Sequence, residues 1–363
     1  GRYAEFIVKQ TQELTEFTGL PSSGSKSKNS VNDDPFVQAT NKDEYTPAGL
    51  WKMPIWFEVH YTDGTVDKKK IWIQKLSETI QFEIPENKIV DFALFDPDNQ
   101  ILKSVTFEKS FEALKSQASK ASSILDRHDA LHAMSTIDIE RKRDFLITFY
   151  NAVPDNSFYL LKGEVIRQLS QDDDKKSIGT IRSALTDKDV KIRQSVLDNM
   201  KVLQQELLTD VEKLLKDPSY DVITNVLEYL SFANPEKIPF YLEQTKDVEG
   251  APGRNVKMKW LEIASMSNEK YVDQLISFAS NTYEFRTRVN AITSLKKLNY
   301  LDVNEIEYLV DAMLSANTRL AGPAAAALKN FYEQLRYKRQ IINYIESKEW
   351  KTWENEIIKE VVK

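Results

Sequence analysis

The chain has 363 residues, 41% of them hydrophobic and 29% charged, with a formal charge of -6. That length allows two or three domains with a sizeable core, and that balance is ordinary for a globular chain, which excludes fibrous and low-complexity classes. Lysine and arginine are interspersed with aspartate and glutamate, so there is no electrostatic footprint for a phosphate backbone and nucleic acid is not an expected partner; with no cysteine, disulfides, thiolate nucleophiles and thiolate metal sites fall away together. No apolar run approaches the roughly 20 residues of a membrane-spanning helix, and the start lacks the basic-then-apolar order of a signal peptide, so a soluble chain of open compartment is expected. Beginning at Gly1 and entering a periodic pattern almost at once, it reads as a trimmed domain or processed piece.

Residues 3–17 read as an amphipathic helix with Ile7, Leu14 and Phe17 among its apolar positions and Gly19 and Pro21 as stop signals, giving an N-terminal helix over 1–20. Residues 21–46 are rich in Ser, Asn, Asp, Lys and Gly and too polar to repay the entropy of ordering; a linker or long surface loop is expected. Over 47–108 the apolar period becomes two. Ile55, Phe57, Val59 and Tyr61 alternate with Trp56, Glu58 and His60, Asp63-Gly64 supplies a hairpin turn, and Ile71 and Ile73 carry the return strand. Three further strands are read from Ile80, Phe82 and Ile84, from Val90, Phe92 and Leu94, and from Ile101, Val105 and Phe107, giving a small antiparallel β-sandwich.

Residues 109–363 are helical in pattern. Apolar or small residues in one helical setting return at Ile166, Val196, Val226, Val256, Val289 and Ala325, at spacings of 30, 30, 30, 33 and 36. Helix pairs of that length bury a continuous core only against their neighbours, so a HEAT-like α-α superhelix is expected, offering an extended surface instead of a pocket built around one reaction. A second helix of each pair is marked by Val211, Leu214 and Leu215, by Ile238, Tyr241 and Leu242, by Val272, Leu275 and Ile276, by Ile306, Leu309 and Val310, and by Ile341, Ile342 and Ile345. Asp187, Asp189 and Asp217 before helix starts read as caps, and Arg193, Arg286, Arg288 and Arg319 as stacking residues near the turns.

Little here nominates chemistry. His128 and His132 at i and i+4 share a helix face and could hold zinc, with Asp129 beside the first. A zinc hydrolase of that kind uses Glu after the first His and a third ligand about twenty residues on; Asn151 stands near that spacing, and Glu140 and Asp144 do not, so ordinary helix-surface histidines are expected. His60 has no partner visible in sequence. The ten glycines form no phosphate loop, and no Gly-x-Ser-x-Gly elbow occurs, residues 21–25 being loop composition. Asp172-Asp173-Asp174 reads as a solvated charge run. Trp51, Trp56 and Trp72 are expected in the sandwich core, and Trp350 with Trp353 as a cap on the last apolar face. No catalytic, cofactor-binding or metal residue is nominated.

Leu50-Trp51-Lys52-Met53-Pro54-Ile55, a hairpin, Ile84-Pro85 and the run Phe95-Asp96-Pro97-Asp98-Asn99-Gln100-Ile101-Leu102-Lys103 resemble the small β-sandwich that follows the catalytic domain in gluzincin aminopeptidases, the zinc enzymes related to membrane alanyl aminopeptidase. The helical region resembles their C-terminal domain, so the likeness covers residues 47–363. It implies a parent metallopeptidase that removes N-terminal amino acids from peptides, with zinc in a catalytic domain of the same polypeptide. The family's His-Glu-x-x-His plus later Glu, and its Gly-x-Met-Glu-Asn motif, have no counterparts here, so the chain alone is expected to be inactive, with no cofactor of its own. Its implied partners are that catalytic domain and peptide substrates, whose access it would shape or gate. The rival expectation is a free-standing HEAT-repeat scaffold for a protein or peptide.

Overall fold

The computed structural model describes residues 1–11, 51–154 and 157–362. The linker read over 21–46 lies outside the described residues. Two compact units are present, Gly1–Phe145 and Leu146–Lys363, and each is taken by itself.

In the first unit, five strands form two antiparallel sheets among the described residues. They are β1 (Arg2–Lys9), β2 (Met53–Tyr61), β3 (Val66–Ile73), β4 (Ser77–Ile84) and β5 (Val90–Phe95). One sheet pairs β1 with β4; the other has the order β3-β2-β5. Period-2 alternation sends Phe6, Ile55, Phe57, Val59, Tyr61, Ile73, Ile80 and Phe82 into one core. Phe6 meets Phe57 edge-on with ring centroids 5.1 Å apart. Phe57 and Val59 are fully buried, each contributing roughly 1.5–3 kcal/mol of apolar transfer free energy. The hairpin between β2 and β3 turns at Asp63 and Gly64, the latter at φ +85°, where a Cβ would be strained.

Two elements differ from the sequence reading. The N-terminal segment is a strand where a helix was expected: Ala4, Phe6 and Val8 face the core and Tyr3, Glu5 and Ile7 face out, and Arg2 through Lys9 pair with Ile84 through Ser77. A partner so distant in sequence leaves no local signal, so the helical spacing of Ile7 with residues beyond 11 misled. The expected strand at Ile101, Val105 and Phe107 does not form; Leu102 is fully solvent-exposed and no described strand pairs with this segment.

Helices follow: α1 (Phe111–Lys120), α2 (Ile124–Ala133) and α3 (Ile139–Ala152). Ser110 caps α1, its side chain accepting from Ala113 N–H. Helix α1 packs on β5, where Phe92, Leu94 and Ala121 make a second small core on the outer face of the three-stranded sheet.

The second unit continues with α4 (Leu160–Leu169), α5 (Lys175–Ala184), α6 (Val190–Asn199), α7 (Leu208–Lys213), α8 (Tyr220–Ala233), α9 (Ile238–Thr245), α10 (Asn255–Ser265), α11 (Lys270–Ala279), α12 (Phe285–Leu298), α13 (Val303–Met313), α14 (Thr318–Tyr332), α15 (Leu335–Glu346) and α16 (Thr352–Val361). The six recurring positions fall one each on α4, α6, α8, α10, α12 and α14, and these helices touch one another in series. The second-helix markers fall on α7, α9, α11, α13 and α15, except that Leu214 and Leu215 lie in the 3-10 turn that follows α7. The result is a superhelix-like stack of helix pairs, in which each pair completes its core only against the next. The first four recurring residues, Ile166, Val196, Val226 and Val256, are fully buried; Val289 and Ala325 are half-buried because the longer repeats rotate Ala291, Ile292, Ala324 and Leu328 into the core instead. Trp350 packs on the last core as a cap, whereas Trp353 is exposed. Among the described residues no helix is long and apolar enough to cross a membrane.

Candidate functional site

His128 and His132 do share a face of α2, their rings near-parallel with centroids 6.1 Å apart. His128 Nδ1 lies 4.0 Å from Asp129 Oδ1, and no group of three or more metal-ligating side chains gathers among the described residues. His60 has a partner after all. Its Nε2 lies 2.7 Å from Glu58 Oε2, and its ring stacks on Phe92 with centroids 4.2 Å apart. That hydrogen bond, with Lys68 beside it, holds Glu58 below the ordinary carboxylate range despite its burial. Glu58 and His60 stand at i and i+2 on one face of β2, a local spacing that the sequence reading did not use. Trp51 and Trp72, expected in the core, are exposed; Trp51 lies at the edge, where its backbone exchanges hydrogen bonds with the Gln10 carboxamide.

The densest polar arrangement of the first unit is the junction between the end of β5 and the first helix pair. Asp96, Asp98 and Asn99 all adopt left-handed backbone, with φ of 51°, 65° and 50°. Asp and Asn tolerate that region because their short side chains can hydrogen-bond locally. The turn is then fastened from both sides. Asp96 Oδ2, buried, accepts from Ile101 N–H at 3.1 Å and from Lys103 Nζ at 2.5 Å, and Lys103 also donates to Asn99 Oδ1 at 2.8 Å. Asp98 N–H donates to Asp126 Oδ2 at 3.2 Å, and Asn99 Nδ2 to Asp129 Oδ2 at 2.9 Å. Behind them Lys109 Nζ donates to Gln117 Oε1 at 2.5 Å, and Gln117 Nε2 to the Asp126 carbonyl at 2.7 Å. Burial pushes the Asp126 carboxyl up to about 6, helped by the charges of Asp98, Asp129 and Glu58. Burial likewise pulls the Lys109 ammonium down to about 8, against the pull of Asp126 and Asp129. The sequence marked 96–99 as a turn but gave no hint that Asp126 lies beneath it.

In the second unit the polar side chains knit neighbouring repeats. Arg193 on α6 makes a buried two-pronged bond to Asp217, at 2.7 and 2.8 Å, and also donates to the carbonyls of Asp187 and Lys188. Asp217 is thus a stacking residue, whereas Asp189 is the cap it was expected to be, accepting from Lys191 N–H. Arg288 does the same work further on, reaching Asp311 Oδ2 at 2.8 Å and the Ala279 carbonyl at 3.0 Å. Arg286, by contrast, lies over Phe285 and makes no such bridge. Across α8, α10 and α12, Lys259 Nζ sits 2.9 Å from Glu228 and 2.8 Å from Glu262, while Lys297 lies 3.1 Å from Glu228. Ser294 Oγ donates to Glu262 Oε2 at 2.8 Å. Two carboxylates and two ammoniums alternate there, so the cluster is electrically closed and clamps three repeats together; the sequence showed these charges only as helix-surface residues.

Two open clefts lie at the turns that lead into α6 and α8. The larger, about 580 Å³, is lined by Leu215, Lys216, Tyr220, Ile223, Asp247 and Glu249 among others; the smaller, about 280 Å³, by Tyr150, Lys162, Thr186, Asp187 and neighbours. Neither of these two clefts brings together a nucleophile, a base and an orienting group.

No protein-family model and no curated protein matches the sequence. Among solved structures, the chain is similar to one in the complex of CpcE and CpcF of phycocyanin lyase from Nostoc, at 16% identity and a TM-score of 0.38, over 68% of this chain and 96% of that one. It is similar to Legionella pneumophila aminopeptidase A at 14% identity and a TM-score of 0.39, over 83% of this chain; it spans 44% of the aminopeptidase's length. A chain in the complex of Kap95p with RanGDP aligns at 12% identity and a TM-score of 0.33, over 65% of this chain and 29% of that one. Likenesses this loose transfer neither a site nor an activity.

Proposed function

We propose that the chain is the non-catalytic C-terminal region of a zinc aminopeptidase-like protein, in which the sandwich acts as a spacer and the HEAT-like helix pairs shape or gate the access of peptides to a catalytic domain on the same polypeptide. The observation that carries this reading is the run from Phe95 to Lys103. It is the longest run on which the family resemblance rests, and its side chains have tightly specified work: Phe95 packs against the sandwich core, Asp96 binds Lys103 and the Ile101 amide, and Asn99 reaches α2. A sandwich followed at once by stacked helix pairs is the order that the resemblance implies.

The test has two arms. The purified chain, supplied with zinc, should leave aminoacyl-fluorophore substrates intact, and the reading frame preceding Gly1 should encode His-Glu-x-x-His. Chelator-sensitive hydrolysis by the chain itself would overturn the proposal, as would a preceding frame without that motif. One observation favours the rival scaffold reading. Val202, Phe232, Met266 and Leu335 stand 70–90% exposed, each beside a turn from one helix of a pair to the next. A row of single apolar side chains along successive repeats suits contact with a protein surface.

A further inference from the structure

We propose that buried Asp126, together with Lys109, forms a proton-operated latch that holds the left-handed turn at residues 96–99 against α1 and α2, tighter in mild acid than at neutral pH. This goes beyond the aminopeptidase-like reading and does not depend on it.

The geometry places one carboxylate under an amide that has no ladder partner: Asp98 N–H meets Asp126 Oδ2, while the Asp126 carbonyl is tied through Gln117 to Lys109. Asp126 is 5% exposed. The charged groups that raise it are Asp98 from the turn, Glu58 from β2 and Asp129 from its own helix, all of its own sign; Lys109 carries the opposite charge. Lys109, from the segment before α1, feels Asp126 and Asp129. Lys103 is engaged with Asp96 and Asn99, and His128 with Asp129. Desolvation and three like charges oppose the ionised form of Asp126 and together outweigh the Asp98 amide, whose hydrogen bond favours it; protonation removes both penalties while leaving a carbonyl oxygen for that amide.

The direction follows from linkage. A carboxyl raised from 3.8 to about 6 contributes stability that is fully present below the lower value and is lost as pH rises through the upper. An ammonium lowered from 10.5 to about 8 contributes stability present above the upper value and lost as pH falls through the lower. Both contributions are thus missing between about pH 6 and 8, where both groups are charged, and the latch is weakest there. Glu58 and Asp129, both held below the ordinary carboxylate range, stay ionised above pH 5; because His60 and His128, which contact them, belong to the residue type that ordinarily changes charge in this range, the Asp126→Asn comparison assigns the acid-side change.

The experiment follows the Asp126 side-chain carboxyl by carbon NMR in the full chain, with amide-exchange protection of Asp98 read at pH 5 and 7.5. The expected midpoint is near 6, and protection should fall roughly tenfold from the lower to the higher pH, since the linked equilibrium changes about tenfold for every pH unit between the open-state and latched-state midpoints. Asp126→Asn, which mimics the protonated form, should show no such fall. A midpoint at or below about 4.5, near the unperturbed carboxyl value, or unchanged protection in the unmodified chain, would overturn the latch; so would a tenfold fall that persists in Asp126→Asn. If that variant does not fold, Lys109→Met serves: with only like charges left around it, Asp126 should titrate higher, and an unmoved midpoint would remove Lys109 from the device.

Discussion

Glu305 is a carboxyl that the fold keeps against its own electrostatics. It is completely buried at the third position of α13, and neither oxygen has a hydrogen-bond partner among the described residues. Burial, with the charge of Asp302 adding to it, pushes its pKa from 4.5 up to about 9. A raised carboxyl contributes stability that is fully present below the unfolded value and is lost as pH rises through the folded one, at about 1.4 kcal/mol per pH unit. At pH 7 the proton that Glu305 must take up on folding therefore costs about 3 kcal/mol, a large share of the 5–15 kcal/mol that typically separates folded from unfolded chains. Glu305→Gln has the shape of the protonated carboxyl and titrates in neither state. Urea unfolding followed by tryptophan fluorescence should show the variant nearly equal to the parent at pH 5 and about 3 kcal/mol more stable at pH 7, the gap widening toward pH 9. Parallel stability curves over pH 5–9, or a variant weaker than the parent at pH 7, would refute the reasoning, because each would mean that Glu305 is ionised and compensated in the folded chain.

Other outcomes are set by single contacts. Arg193→Met leaves Asp217 buried without its two-pronged partner and frees two carbonyls, so a loss of about 3–5 kcal/mol is expected in the same urea assay, with Arg193→Lys recovering only part of it. Gly250→Ala should destabilise the repeat, since φ is +86° and the new Cβ would lie 2.3 Å from Asn255 Oδ1 and 2.7 Å from Val256 N. Gly179→Ala, on α5 with nothing within 4 Å, should instead raise stability by about 0.5–1 kcal/mol, and thermal melts of the two variants in parallel check the contrast. The melting temperatures of the parent chain and of a variant with His128 and His132 both changed to alanine are expected to respond alike to zinc and to chelator; a zinc-dependent shift in the parent that is lost in the double variant would restore the metal reading.

Legibility in the sequence followed the distance over which each feature is decided. Strands β2 through β5 were readable because alternation and turn residues are local, and the six inner-helix positions because a repeat that can bury its face only against its neighbour must keep one apolar setting at one spacing. Strand β1 was not, since its partner is β4, 68 to 82 residues away pair by pair, and nothing in residues 2–9 points to it. The segment after Lys103 has strand-like residues but pairs with no described strand and is irregular.

The buried charges mark the sharper limit. Asp302-Val303-Asn304-Glu305 reads as a helix-capping sequence in which the Glu side chain returns to the cap; Asp302 does accept from Glu305 N–H at 2.8 Å, yet the Glu305 carboxyl turns into the core. Nothing local in the sequence marks Asp126, Lys259 and Glu262 on their helices, or Lys109 before α1, as desolvated. Sequence alone determined the class, a small β-sandwich followed by serially stacked helix pairs, because hydrophobic period and repeat length are properties of the chain. Which ionisable groups lose their water was decided only by the packing of segments remote in sequence, because desolvation depends on every neighbour within a few ångströms and the chain's order does not name those neighbours.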